Sequence, residues 1–167
     1  DNTPPTLSVP ANVTLQCSDP LPKMPVHINS SANSLQGTYH FGTAVFGPAL
    51  TSTAVTGDLI LANPITACTP ITNVLTGKIA VIDRGGCSSP GALFTNKVLK
   101  AQQAGAIAVI VVNNLSGNDI ITMGGTNASI TIPSIFVSNN YGNTMKASMA
   151  LGTVNASLAG NTVINND

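Results

Sequence analysis

Glutamate and tryptophan are absent from this sequence, and charge of either sign is scarce. Charged residues make up 7% of its 167 positions, where about 25% is usual for a soluble domain. The whole set is five Lys, one Arg and six Asp, and the formal net charge is zero. Such a chain has no long-range field with which to attract nucleic acid or anionic lipid, so neither is expected as a partner. Without Glu there is no Glu/Glu acid–base pair, and an HExxH zinc helix cannot be written. No apolar run approaches the ~18 residues of a membrane span, so membrane insertion is not expected. No basic-then-apolar leader opens the sequence, so any signal peptide is expected to have been removed or to lie outside it. The three cysteines, Cys17, Cys68 and Cys87, show no CxxC spacing, which argues against a zinc site.

Thr, Ser and Asn must carry the polar surface instead, a composition that suits an extracellular or surface protein. Near-zero net charge also removes the repulsion that keeps copies apart. A Cys68–Cys87 disulfide would close a loop of about 20 residues and contribute roughly 3 kcal/mol. Cys17 is then odd, either a buried free thiol or a bond to another chain or domain. N-x-S/T sequons occur at Asn12, Asn29, Asn114, Asn127 and Asn155. They permit glycosylation in a suitable host.

Along the chain, residues 1–25 read as an extended arm, because Pro4, Pro5, Pro10, Pro20, Pro22 and Pro25 forbid helix. Within it "ANVTLQC" alternates, with Val13, Leu15 and Cys17 on one face, the period of a half-buried strand. Residues 26–160 read as one domain and 161–167 as a polar tail. "KIAVID" and "AIAVIVVNN" are near-continuous apolar runs, as in strands buried on both faces. "GALFTNKVLKAQQAG" between them reads as a helix that turns Phe94, Val98 and Ala101 inward and Lys97 and Lys100 outward, with Gly105 as its stop. Strand, helix and strand in this order predict a parallel crossover. "TIPSIFVS" adds a strand. "NNYGNTMKASMALG" adds a second helix, with Met145, Met149 and Leu151 inward and Gly152 as its stop. The fold class is therefore mixed α/β, with about seven or eight strands and two helices.

Strand, glycine turn and helix often cradle a phosphate, but "DRGGCSSPG" contains neither GxGxxG nor GxxxxGK[ST], and no acidic residue follows at ribose-binding distance. A GxSxG elbow is also missing. His27 and His40 are the two histidines, and surface or hydrogen-bonded roles suit them better than that of a general base. Asp58, Asp83 and Asp119 lack the DxDxDG spacing of a calcium loop. No catalytic, cofactor or metal site is expected. Arg84, the sole arginine, could present its fork to a partner's carboxylate. The favoured expectation is a local salt bridge that fixes the Gly85–Gly86 turn.

"CTP…GKIAVIDRGGC…F…KV…AQ-AGA-AVIVVNN", followed by "MGG" and "IPSIFVS", resembles the protease-associated (PA) domain, in particular that of secreted fungalysin-type metallopeptidases and subtilisin-like proteases. The match runs from Gly42 to Leu158, about two-thirds of the chain. One departure is "CSSPGALF", where the family usually has C-[ST]-F. The resemblance implies an open β-sandwich or barrel flanked by two short helices, a Cys68–Cys87 disulfide, and a non-catalytic role. It also implies a peptide-contact loop at Asp83, Arg84, Gly85 and Gly86, facing the Asn113–Gly125 loop. The arm is similar to the opening of a bacterial hyalin-repeat (HYR) or immunoglobulin-like module.

Two roles are therefore expected. The favoured one is a self-assembling subunit whose strand Val13–Leu15–Cys17 pairs with a neighbouring copy to build a fibre or surface array. The alternative is an accessory PA domain of a secreted peptidase that docks substrate or gates the active site. The partner is another copy in the first case and another domain of a secreted protein in the second.

Overall fold

Alternation along each strand decides which layer its side chains join. In the computed structural model, which describes residues 25–30 and 37–160, the strands are β1 (Pro25–Ser30), β2 (Gly37–His40), β3 (Val55–Leu61), β4 (Ile79–Asp83), β5 (Ala108–Val112), β6 (Ser134–Val137) and β7 (Asn155–Leu158). The helices are α1 (Phe94–Gln103) and α2 (Asn139–Leu151). One seven-stranded sheet runs in the order β2-β1-β7-β3-β4-β5-β6. Pairing is parallel from β3 through β6 and antiparallel from β2 through β3. The expected parallel crossover is thus β4–α1–β5.

In the parallel half both faces are buried. Ile79 and Val81 of β4, with Ala108, Ile110 and Val112 of β5, join a core that includes Met145 of α2. Their neighbours Ala80, Ile82, Val109 and Val111 join a second core with Val98 and Ala101 of α1. A side chain at Gly142 would place its Cβ 2.2 Å from Val112 Cγ1, so α2 lies against β5 with no room to spare. In the antiparallel half Val26 and Ile28 are buried while His27 is exposed, and Ala156 and Leu158 face the core from β7.

The sheet does not close into a barrel, so of the two architectures implied it is the open one. Gly42, just after β2, exchanges two backbone hydrogen bonds with Phe136 of β6, at 2.7 and 2.8 Å, and covers that edge over a single rung. The stretch "FGTAVFGPAL" otherwise forms one isolated bridge, from Ala44 to Met123.

Two helix-face expectations are corrected. Lys97 points inward and is fully buried. Lys100 also turns back onto the molecule, to the carbonyls of Ala67 and Cys68. Leu151 is not inward but 69% exposed, because it closes the last turn of α2 beyond the reach of the sheet. Met145 is buried and Met149 half-buried. Gly105 (φ +95°) follows α1 as its stop, and Gly152 caps α2 in an extended conformation. The arm with Val13, Leu15 and Cys17, the sequon at Asn12 and the tail at 161–167 lie outside the described residues.

Candidate functional site at the carboxyl ends of the parallel strands

Parallel strands release their carboxyl ends at one edge of the sheet, where open α/β folds commonly bind ligands. Asp83, Val112 and Val137 align across β4, β5 and β6, and the ladder continues one residue further. Arg84 N–H donates to the Val112 carbonyl at 2.8 Å, and Asn113 N–H to that of Val137 at 3.0 Å. Arg84, Asn113 and Ser138 therefore stand side by side at the mouth.

Asn113 is the hub, only 2% exposed. Its Oδ1 accepts from Arg84 Nη1 at 3.1 Å and from Leu115 N–H at 3.2 Å. Its Nδ2 donates to the Asp119 carbonyl, and its own carbonyl accepts from Asn139 Nδ2. The loop after β5 is thereby tied both to β4 and to the start of α2. Ser138 caps α2 by accepting from Tyr141 N–H, as an N-cap serine does.

Arg84 and Asp83 do not pair with each other. Successive strand residues point to opposite faces, and Asp83 instead binds Lys146 of α2 at 2.8 Å. The expected salt bridge across the glycine turn is therefore replaced by a pair between β4 and α2. The Arg84 guanidinium carbon lies 5.9 Å from the ring centres of both Phe94 and Phe136, a cation–π arrangement. Among the described residues no carboxylate pairs with Arg84.

Beyond Arg84 the chain turns through Gly85 (φ +81°) and Gly86 (φ +74°), a region closed to most L residues. A Cβ at Gly85 would lie 2.7 Å from Asn114 Nδ2, and one at Gly86 2.8 Å from Thr66 Cγ2. The next residue, Cys87, forms a disulfide with Cys68. Beneath these loops Lys97 Nζ donates to the carbonyls of Thr66, Asp83 (3.1 Å) and Gly85 (2.8 Å). Lys100 Nζ donates to those of Ala67 (3.0 Å) and Cys68 (2.6 Å). Burial, and then the charge of Lys100, lower the Lys97 pKa to about 8, with Asp83 opposing. Two ammonium groups and one disulfide thus pin the 66–68 and 83–87 segments together from inside.

The resemblance places Asn113 at the start of the facing loop but not at the centre of the network, and it gives no part in this site to Lys97 or Lys100. For Lys97 a signal was present: Phe94, Lys97, Val98 and Ala101 follow the i, i+3, i+4, i+7 spacing of a buried face.

The other candidates are dispersed. Asp58 accepts from Lys78 at 2.7 Å and from Asn155 at 2.9 Å. These bonds, Asn155 first, hold its carboxyl below the usual range. Asp119 is exposed in the loop after β5. Among the described residues no three His, Cys or Asp side chains gather as a metal site. His27 is exposed on β1. His40 lines a cleft of about 250 Å³ with Tyr39, Asn118, Ile120, Ser138 and Tyr141. Tyr39 stacks on Tyr141 at 4.3 Å, and burial holds the Tyr141 hydroxyl above its usual range. Of the sequons, Asn114 is exposed, Asn127 half-buried, and Asn155 bonded to Asp58 through Nδ2. Asn29 is on β1.

The strand–turn–helix frame, the disulfide and the pinned DRGGC turn coincide with a family profile, the PA domain, which matches residues 55–145. The chain belongs to the PA domain family. It is 34% identical over 122 residues to receptor homology region, transmembrane domain- and RING domain-containing protein 1 of Arabidopsis thaliana, covering 68% of this chain and 38% of that protein. It is 31% identical over 120 residues to signal peptide peptidase-like 4 of Oryza sativa subsp. japonica, covering 69% and 21%. Among solved structures it is similar to an aminopeptidase from Aneurinibacillus sp. strain AM-1, with 25% identity and a TM-score of 0.59, covering 82% of this chain and 30% of that one. A subtilisin-like protease from Pseudoalteromonas sp. AS-11, at 22% identity and a TM-score of 0.57 over 83% of this chain and 33% of that one, shares the fold. The chain thus spans about a fifth to two-fifths of the length of these four proteins. A PA domain is a non-catalytic accessory module. Among the described residues no helix is long and apolar enough to cross a membrane.

Proposed function

We propose that this PA domain is an extracellular, non-catalytic docking module that takes an extended peptide across the 83–87 turn and the loop after β5. The observation that carries this reading is Arg84, a half-buried guanidinium fixed by Asn113 and two rings yet without a carboxylate partner among the described residues. Its fork is pre-set for an acidic group, which lowers the ordering cost of binding. Leu93, at the start of α1, and Leu115, in the loop after β5, are exposed and supply apolar contact. A disulfide at the site suits an oxidising compartment.

The test is selection of peptides from a displayed 12-residue library by the wild-type domain and by Arg84→Gln. The wild type is expected to enrich sequences containing Asp, Glu or a free C-terminal carboxylate. Arg84→Gln should weaken their binding at least tenfold without changing Tm. Equal enrichment by both proteins would overturn the reading.

Self-association through residues 1–25 is retained as a second reading. It is favoured by a surface with almost no charge to oppose stacking and by an unfilled stretch of sheet edge, described next.

A further inference from the structure

β3 changes partners along its length. Val55–Asp58 pair with β7, whereas Leu59–Leu61 pair with β4. Ala62 N–H donates to the Val81 carbonyl. Strand alternation therefore turns Ile60 toward β4 and directs the backbone groups of Leu59 and Leu61 the other way. Leu59 N–H meets the Val154 carbonyl at 2.8 Å, the last rung that the β7 side supplies. Beyond it Asn73 Nδ2 reaches the Leu61 carbonyl at 3.0 Å. The Leu61 N–H and the Leu59 carbonyl have no partner among the described residues.

These two groups face an open groove of about 610 Å³ between residues 58–61 and residues 149–153 at the end of α2. Its walls include exposed Leu61 and Leu151. Val74, 78% exposed, follows the Asn73 that bonds Leu61. The charges lining it, Asp58 and Lys78, neutralise each other at 2.7 Å. The groove therefore selects an extended, uncharged segment that is apolar at alternate residues, the mode of strand addition to an open edge.

This chain carries such a segment. Ala11–Cys17, "ANVTLQC", has no charge and sets Val13, Leu15 and Cys17 on one face. We infer that Ala11–Cys17 of a second copy adds to β3 at Leu59–Leu61, an assignment that rests on the self-association reading. Insertion into the chain's own groove is disfavoured. Val26 is level with Leu158 and Val55, at the far end of β3 from Leu61. The eight residues from Cys17 to Pro25 span at most about 28 Å. β1 is entered from the end away from Leu61, since Val26 is level with Val55 and Ile28 with Gly57. These residues would therefore have to double back over some six residues of strand length, about 20 Å, and one strand spacing. Donation between copies is head-to-tail and need not close.

Mass photometry over a concentration series, on the full chain, tests the inference. The wild type should form multiples of the protomer mass, while Leu15→Asp and Leu151→Asp should each stay monomeric with unchanged Tm. A synthetic ANVTLQC peptide in excess should shorten wild-type assemblies and slow hydrogen exchange at the Leu61 amide at least tenfold. If Leu15→Asp abolishes assembly and Leu151→Asp does not, the arm mediates association at another edge: the groove assignment falls and self-association stands. A wild type that is monomeric at every concentration overturns both, and an amide of Leu61 protected in that monomer would place the arm in its own groove.

Discussion

The two halves of the sheet solve the same problem in opposite ways. From β4 to β6 every strand position is buried apart from the half-buried Asp83, a helix covers each face, and the strand ends are locked by a disulfide, two lysines and Asn113. From β2 to β7 one face is half exposed and polar, with a hydroxyl pair, Thr56 to Ser157 at 2.8 Å, where the other half has packed side chains. The first half gives a rigid platform for the DRGGC turn. The second keeps one polar face open to water. The difference teaches that rigidity here comes from backbone carbonyls gathered on buried cations as much as from apolar packing.

Removing Lys97 should therefore break the contrast most severely. Lys97→Met keeps length and apolar volume but strands three carbonyls. Leaving buried polar groups unpaired costs about 3 kcal/mol or more, read as a lower urea midpoint at pH 7. The pH dependence carries a signature. Below about pH 8 the ammonium is retained in both folded and unfolded chains, and its burial penalty is present in full. Between about 8 and the unfolded value of 10.5 the unfolded chain binds more protons, so this group makes stability rise with pH. Lys97→Met should lack that rise. A wild-type profile flat from pH 8 to 10 would contradict the assignment.

Gly142→Ala sharpens the comparison next. A methyl group there would meet Val112 Cγ1 at 2.2 Å, in the half with no slack, and overpacking of this kind costs about 2 kcal/mol. Calorimetry should show the loss. Paired Gly142→Ala and Val112→Ala should recover part of it, which a simple helix-propensity effect would not, since alanine is the better helix former.

How far each half can be read from sequence follows the same division. "KIAVID", "AIAVIVVNN" and "SIFVS" announce buried strands because burial on both faces removes polar residues from the text. The alternation of "VNASL" announces β7. A Cys68–Cys87 staple and a fixed Gly85–Gly86 turn are legible from the residues and again from the family resemblance, but the lysine pins are not. Lysine-to-carbonyl bonds leave no mark at the accepting residues Thr66, Ala67 and Cys68, since every residue has a carbonyl. Lys97 was assigned to solvent because lysine is rarely buried without a partner, and its partners here are backbone. Asp83 found Lys146, 63 positions away, a pairing that no local pattern encodes.

The smallest expected effect tests the polar half. Thr56 and Ser157 are cross-strand neighbours on β3 and β7, and their hydroxyl bond lies on the exposed face. Water can replace it, so Thr56→Ala and Ser157→Ala should each cost no more than about 0.5 kcal/mol, with a coupling of similar size in the double-mutant cycle. A cost above about 2 kcal/mol would mean that this face is covered in solution. It would then be the antiparallel half, and not the strand ends alone, that meets another chain.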